Sequence, residues 1–288
     1  MLNNNVLKLF STNKMETTPI GIFDSGYGGL TILDKIRNHL TQYDYVYLGD
    51  NARTPYGTRS FEIVYQYTLQ CVKALFEMNC RLVILACNTA SAKALRTIQQ
   101  RDLPKIDATR RVLGVIRPTV EAVGKITENQ HVGLLATSGT VQSQSYPAEI
   151  QKLFPEIKIT SEECPMWVPL IENNEFDNTG AEFFINKNVK NLLQKDSKID
   201  TIILGCTHYP LIHKQIEKIA GAGVKIFSQG EVVAQSLADY LKRHSEIEEK
   251  CSKNGSCRYF TTESSEKFCS SASIFLNEKI EAQHLDLQ

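Results

Sequence analysis

The chain has 288 residues, with Lys+Arg and Asp+Glu both at 32 and a formal net charge of zero. That balance gives no electrostatic footprint for nucleic acid or a membrane surface, and no apolar run reaches the length of a membrane span. The eight cysteines are irregularly spaced in a long chain with no export signal, which argues against a disulfide framework and for the cytoplasm.

Residues 1–18 are polar and aperiodic, so they are expected to form a loose extension, with Met15 as an alternative start. Residues 19–23 read as the first strand. Asp24-Ser25-Gly26-Tyr27-Gly28-Gly29 then turns into a helix with Leu30, Leu33, Ile36 and Leu40 inward. Such a glycine-rich turn exposes N–H groups that can hold an anion. It is neither the dinucleotide GxGxxG pattern nor a Walker loop. A strand at 45–48 ends at Gly49-Asp50-Asn51, and the loop through Pro55-Tyr56-Gly57 leads to a helix over 60–78. Its apolar stripe (Val64, Tyr67, Cys71, Leu75, Met78) gives Cys71 a core role.

A strand at 82–87 and a helix at 89–100 complete the first unit. A strand at 112–116 follows, with Pro118 fitting a helix N1 position. The pattern then repeats: strand 131–136, helix from about 140, strand 156–160, and helix 180–195 opened by the capping-box spacing Thr179…Glu182. Strand 201–205, helix 209–220, strand 224–227 and helix 231–243 come next. Residues 245–258 read as a loop, and 259–276 carry short apolar groups able to dock on the first unit.

This alternation predicts an α/β protein of two similar domains with mainly parallel sheets flanked by helices. The first domain is expected to comprise 19–115 plus 228–288, with 116–227 inserted as the second. Both Val83-Ile84-Leu85-Ala86-Cys87 and Ile202-Ile203-Leu204-Gly205-Cys206 are buried-strand runs that stop at a cysteine. Each thiol therefore sits at a carboxyl strand end, the edge where open α/β sheets bind ligands. Asp24, Ser25, Asp50, Cys87, Asn88, Thr89, Thr137, Thr140, Cys206, Thr207 and His208 are expected to line one cleft between the domains.

A thiol at the start of a helix is expected to ionise more readily. Two thiols on facing domains suit inversion of a stereocentre, one taking the α-proton and the other delivering a proton to the opposite face. Other chemistries fit less well. A cysteine phosphatase needs Arg six positions after its nucleophile, where this chain has Lys93 and Ile212. Zinc lacks a CxxC pair. A dithiol redox enzyme needs its sulfurs close enough to bond, and a two-lobed amino-acid-binding protein needs no thiols. The bland alternatives are Asp24 as a helix cap, His208 as a surface histidine, Glu172 as a solvated helix end, and Arg53 and Arg59 as surface charges.

Phe23-Asp24-Ser25-Gly26-Tyr27-Gly28-Gly29, Gly49-Asp50-Asn51 with Pro55-Tyr56-Gly57, Ala86-Cys87-Asn88-Thr89-Ala90 and Gly205-Cys206-Thr207-His208-Tyr209-Pro210 occur in this order. Together they resemble the cofactor-independent aspartate/glutamate racemases, and glutamate racemase in particular. The resemblance implies interconversion of L- and D-glutamate without a cofactor or metal, to supply peptidoglycan. It implies that Cys87 serves the D-enantiomer and Cys206 the L-enantiomer. Substrate contacts would fall on Asp24, Ser25, Tyr56, Gly57, Asn88, Thr89, Thr207 and His208. The stretch Cys164-Pro165-Met166-Trp167-Val168-Pro169-Leu170-Ile171-Glu172 matches one that in the family carries a carboxylate near the second cysteine, here Glu172. Aspartate is the rival substrate, and a homodimer and a cell-wall-precursor activator are partners the resemblance leaves open. The chain departs from the family at Arg117-Pro118-Thr119, where Glu-Pro-Gly is common, and at Thr261-Thr262-Glu263, where Thr-Gly-Asp is common.

Overall fold

The computed structural model describes residues 17–276 and 278–287, so most of the 1–18 extension, Met15 included, lies outside the described residues. Thr18 is described and buried, paired in a parallel bridge with Cys251. The first four strands are β1 (Ile20–Asp24), β2 (Tyr45–Gly49), β3 (Leu82–Leu85) and β4 (Arg111–Gly114). Next come β5 (His131–Ala136), β6 (Lys158–Glu163), β7 (Thr201–Gly205) and β8 (Lys225–Phe227), and the tail adds β9 (Cys257–Thr261) and β10 (Ala282–His284). They form two sheets, ordered β10-β9-β2-β1-β3-β4 and β6-β5-β7-β8, in which every pairing is parallel. Among the described residues no helix is long and apolar enough to cross a membrane.

The unbroken apolar runs follow from burial on both faces. Side chains alternate along a strand, so Ile20 and Ile22 join helices Gly29–His39 and Gly230–Arg243 in one core while Phe23 joins helix Phe61–Glu77 in the other. In the second sheet Ile202 and Leu204 pack with helix Thr179–Lys195, and Ile203 packs with helices Ile116–Ile126 and Ser145–Leu153. Leu30, Leu33, Ile36, Leu40 and Cys71 are all buried as their periodicity predicts.

Several expected elements are revised. Helix 89–100 is a broken rod: Asn88–Lys93, Leu95–Thr97, a π turn Ile98–Asp102, then Leu103–Ile106. Pro104 has no N–H to give the turn before it, and the break falls there. Strand β4 stops at Gly114 and its helix starts at Ile116, so Pro118 is third rather than first, still within the turn whose N–H groups lack helical acceptors. The helix expected from 140 is two, Ser138–Gln142 and Ser145–Leu153, divided at the left-handed Gln144. Helix 209–220 opens as a 3₁₀ turn, Tyr209–Ile212.

The capping box is also corrected. Asn178, not Thr179, is the N-cap, its side chain accepting the Ala181 N–H at 3.0 Å. The 245–258 loop contains a short helix, Ser245–Glu248. Beyond it, β9 pairs with β2, and helix Ser265–Leu276 buries Phe268, Ala272 and Leu276 against the first core.

Candidate active site

Parallel sheets place every strand's carboxyl end on one edge, and here the two edges face a shared cavity of about 300 Å³. Ser25 follows β1, the loop Thr54–Thr58 follows β2, and Cys87, Asn88 and Thr89 follow β3. From the second sheet come Thr137 and Ser138 after β5 and Cys206, Thr207 and His208 after β7. Pro165, Met166, Val168 and Pro169 add an apolar wall. These wall residues belong to the stretch read in the sequence only for Glu172; its two prolines and two apolar side chains were the available signal.

Both thiols are buried and free. Cys87 Sγ lies 3.3 Å from Ser25 Oγ and accepts the Ala90 N–H at 3.5 Å, capping its own helix. The helix start was expected to lower this thiol. Instead burial, with the nearby Asp24 charge, pushes Cys87 up to about 12 against the hydrogen bonds from Ser25 and Ala90. Six residues of helix do not offset the cost of a desolvated thiolate.

Cys206 has a different escort. Its Sγ is 3.7 Å from His208 Nδ1, and His208 Nε2 is 2.9 Å from Glu172 Oε1. Burial alone would lower His208, but its hydrogen bonds to Cys206 and Glu172 and their charges hold it well above the usual imidazole range. An imidazolium donates from both nitrogens, one proton toward the sulfur and one toward the carboxylate. Thr54 Oγ1 donates to the same Glu172 oxygen at 3.3 Å, and the ring of Phe275 meets His208 edge-on at 5.7 Å. Glu172 is therefore tied into the site from behind rather than left as a solvated helix end, and His208 is not a surface histidine.

Asp24 does not line the cavity as expected: it is wholly buried behind Thr207, accepting from Gly26 N at 2.8 Å and from Thr207 Oγ1 at 3.3 Å. The helix it precedes has no side-chain cap. Burial raises its carboxyl, opposed by His208 and by the N–H groups of Gly26 and Gly29. The glycines of this turn serve close approach: a Cβ on Gly26 would stand 2.6 Å from Glu172 Oε1, and one on Gly28 would overlap Thr207 and His208.

Asp50 does not line the cavity. It is buried among Tyr56, Arg53 and Thr262, taking the Tyr56 hydroxyl, the Arg53 Nε–H at 2.7 Å and the Thr262 hydroxyl at 2.9 Å. Arg53 also stacks 4.0 Å over Tyr67, so it organises the loop rather than coating the surface. Tyr56 meets the cavity with its hydroxyl already committed. Gly57 is held to the second sheet's side through Gly139 N at 2.7 Å, and Lys93 Nζ fastens the Arg59 carbonyl at 2.7 Å. Thr140 stands behind the wall, bonded to Thr137 at 3.1 Å, while Thr89 and Thr137 meet at 2.9 Å.

A family model described as Asp/Glu/Hydantoin racemase matches residues 21–237, a span that includes both thiols and Asp24, Glu172 and His208. The chain belongs to this racemase family. A glutamate racemase from Ruegeria sp. is 40% identical, covering 91% of this chain and 97% of the relative. A glutamate racemase isoform from Bacillus anthracis superposes with a TM-score of 0.85 at 34% identity, covering 94% of this chain and 98% of that one. Glutamate racemase from Francisella tularensis, solved in complex with D-glutamate, has a TM-score of 0.83 at 32% identity, covering 94% and 98%. The architecture is thus the racemase one, two similar parallel α/β domains meeting at a cleft, and the enzyme is an isomerase that acts as an amino-acid racemase.

Proposed function

We propose that this racemase interconverts L- and D-glutamate with two thiols, supplying D-glutamate for peptidoglycan. One thiolate takes the α-hydrogen as a proton, leaving the C–H electron pair on carbon beside the carboxylate. The opposite thiol then gives its proton to the other face, and the two sulfurs exchange protonation states. Cys87 removes the proton of the D-enantiomer and Cys206 that of the L-enantiomer, assisted by Asp24 on one side and by the His208–Glu172 pair on the other.

The observation that carries this reading is one buried free thiol on each side of a single cavity, each with its own titratable escort. Ser25, Tyr56, Gly57, Asn88, Thr89, Thr137 and Thr207 support it as the wall that holds substrate, with Thr140 bracing them from behind. The names of the relatives favour glutamate over aspartate. We take 19–115 with 228–288 as one domain and 116–227 as the other; helix Ile116–Ile126 packs on the second sheet and helix Gly230–Arg243 on the first, in support.

The purified protein is incubated separately with L-glutamate and L-aspartate, without pyridoxal phosphate or metal. Optical activity is expected to decay to zero with glutamate alone. Persistent rotation with glutamate, or equal decay with both, contradicts the assignment.

A further inference from the structure

Asn88 lines the cavity one residue beyond Cys87, and its amide is locked by groups outside the cavity wall. Gln229 lies in the crossover from β8 to helix Gly230–Arg243 and is buried. Its Oε1 accepts from Asn88 Nδ2 at 2.6 Å. Its Nε2 donates to Tyr146 OH at 2.6 Å and to Thr119 Oγ1 at 2.7 Å, with Asn88 Oδ1 further off at 3.3 Å. Tyr146 closes the loop, donating its hydroxyl proton to Asn88 Oδ1 at 2.7 Å.

An amide offers two protons on nitrogen and lone pairs on oxygen, so such a ring has a direction. Thr119 sets it. Its single hydroxyl proton goes to the Val115 carbonyl at 2.7 Å, leaving only acceptor capacity toward Gln229. Gln229 must therefore turn its NH₂ to Thr119 and its oxygen to Asn88. Asn88 in turn presents NH₂ to Gln229 and oxygen to Tyr146, and reversing it would set oxygen against oxygen among buried groups. One Nδ2 proton of Asn88 is used by this ring and the other is left over. The proton chain starts at Thr119.

Resting on the racemase reading above, we propose that Thr119, Gln229 and Tyr146 form a positioning relay that fixes Asn88 as a hydrogen-bond donor toward a carboxylate oxygen of the substrate. The relay joins helix Ile116–Ile126, helix Ser145–Leu153 and the return crossover to the turn that carries Cys87. Orientation of one cavity amide is thereby tied to the relative setting of the two domains.

The test uses the whole enzyme with glutamate, assaying each variant below its own melting temperature. Thr119→Val, Gln229→Met and Tyr146→Phe should each lower kcat/KM about tenfold, the scale of one oriented hydrogen bond to a charged group, chiefly through KM. Thr119→Ser, which keeps the hydroxyl, should recover most of that loss. In an Asn88→Ala background the three substitutions should cost little more, because the group they orient is gone. Full-sized losses in that background overturn the relay. So do melting temperatures that fall while kcat/KM holds, or equal losses for Thr119→Val and Thr119→Ser. Wild-type racemisation supplies the reference rate, so failure of the relay is read with the activity itself intact.

Discussion

At the scale of single residues, the two thiols differ in what surrounds them. Cys87 is raised to about 12 mainly by burial, with the Asp24 charge next. Asp24→Asn removes that charge, so Cys87 should be alkylated faster than in wild type near neutral pH, while racemisation falls. Peptide mass spectrometry after iodoacetamide treatment reads the first and polarimetry the second; slower or unchanged alkylation removes Asp24 as the group that tunes Cys87. His208 is the mirror case. Its folded pKa lies well above its unfolded value of about 6.5. Its protonated contacts thus contribute stability fully below the unfolded value, and this is lost as pH rises through the folded one. Glu172→Gln removes one of the two partners that hold the proton, so the His208 pKa should fall, measured by NMR titration of the ring. An unshifted titration detaches Glu172 from the site.

At the scale of elements, strands were more legible than helix ends. A strand buried on both faces is announced by its apolar run, and β3, β5 and β7 lie within a residue or two of their expected positions. Helix starts depend on which of two adjacent polar residues turns its side chain back onto the chain. Thr179…Glu182 has capping-box spacing, yet Asn178 makes the bond. Asn178→Ala should therefore cost about 1 kcal/mol of stability and Thr179→Ala far less, by urea denaturation. The reverse order restores the capping box. Breaks such as the π turn at Ile98–Asp102 leave only a neighbouring proline as a trace. In the site, residues directly after strands were legible: Ser25, Cys87, Asn88, Thr89, Thr137, Cys206, Thr207 and His208 all reach the cavity wall. Asp50 also follows a strand, but Arg53 and Tyr56 fold back onto it and draw it away. The Gln229 contacts with Asn88, Thr119 and Tyr146 join positions far apart in sequence, and no local pattern encodes them.

For the whole molecule, the decisive property is that each parallel sheet delivers one thiol to a common cavity. Two bases on opposite faces exchange the α-hydrogen differently from one base that serves both. Each thiol equilibrates its own proton with solvent, so in deuterated water the delivering sulfur carries deuterium while the departing proton stays on the other side. The direct measurement is proton NMR of Cα during early turnover of L-glutamate in deuterated water. D-glutamate should appear deuterated at Cα while unreacted L-glutamate remains protiated. Deuterium entering the unreacted L-glutamate as fast as product forms would contradict the two-thiol account.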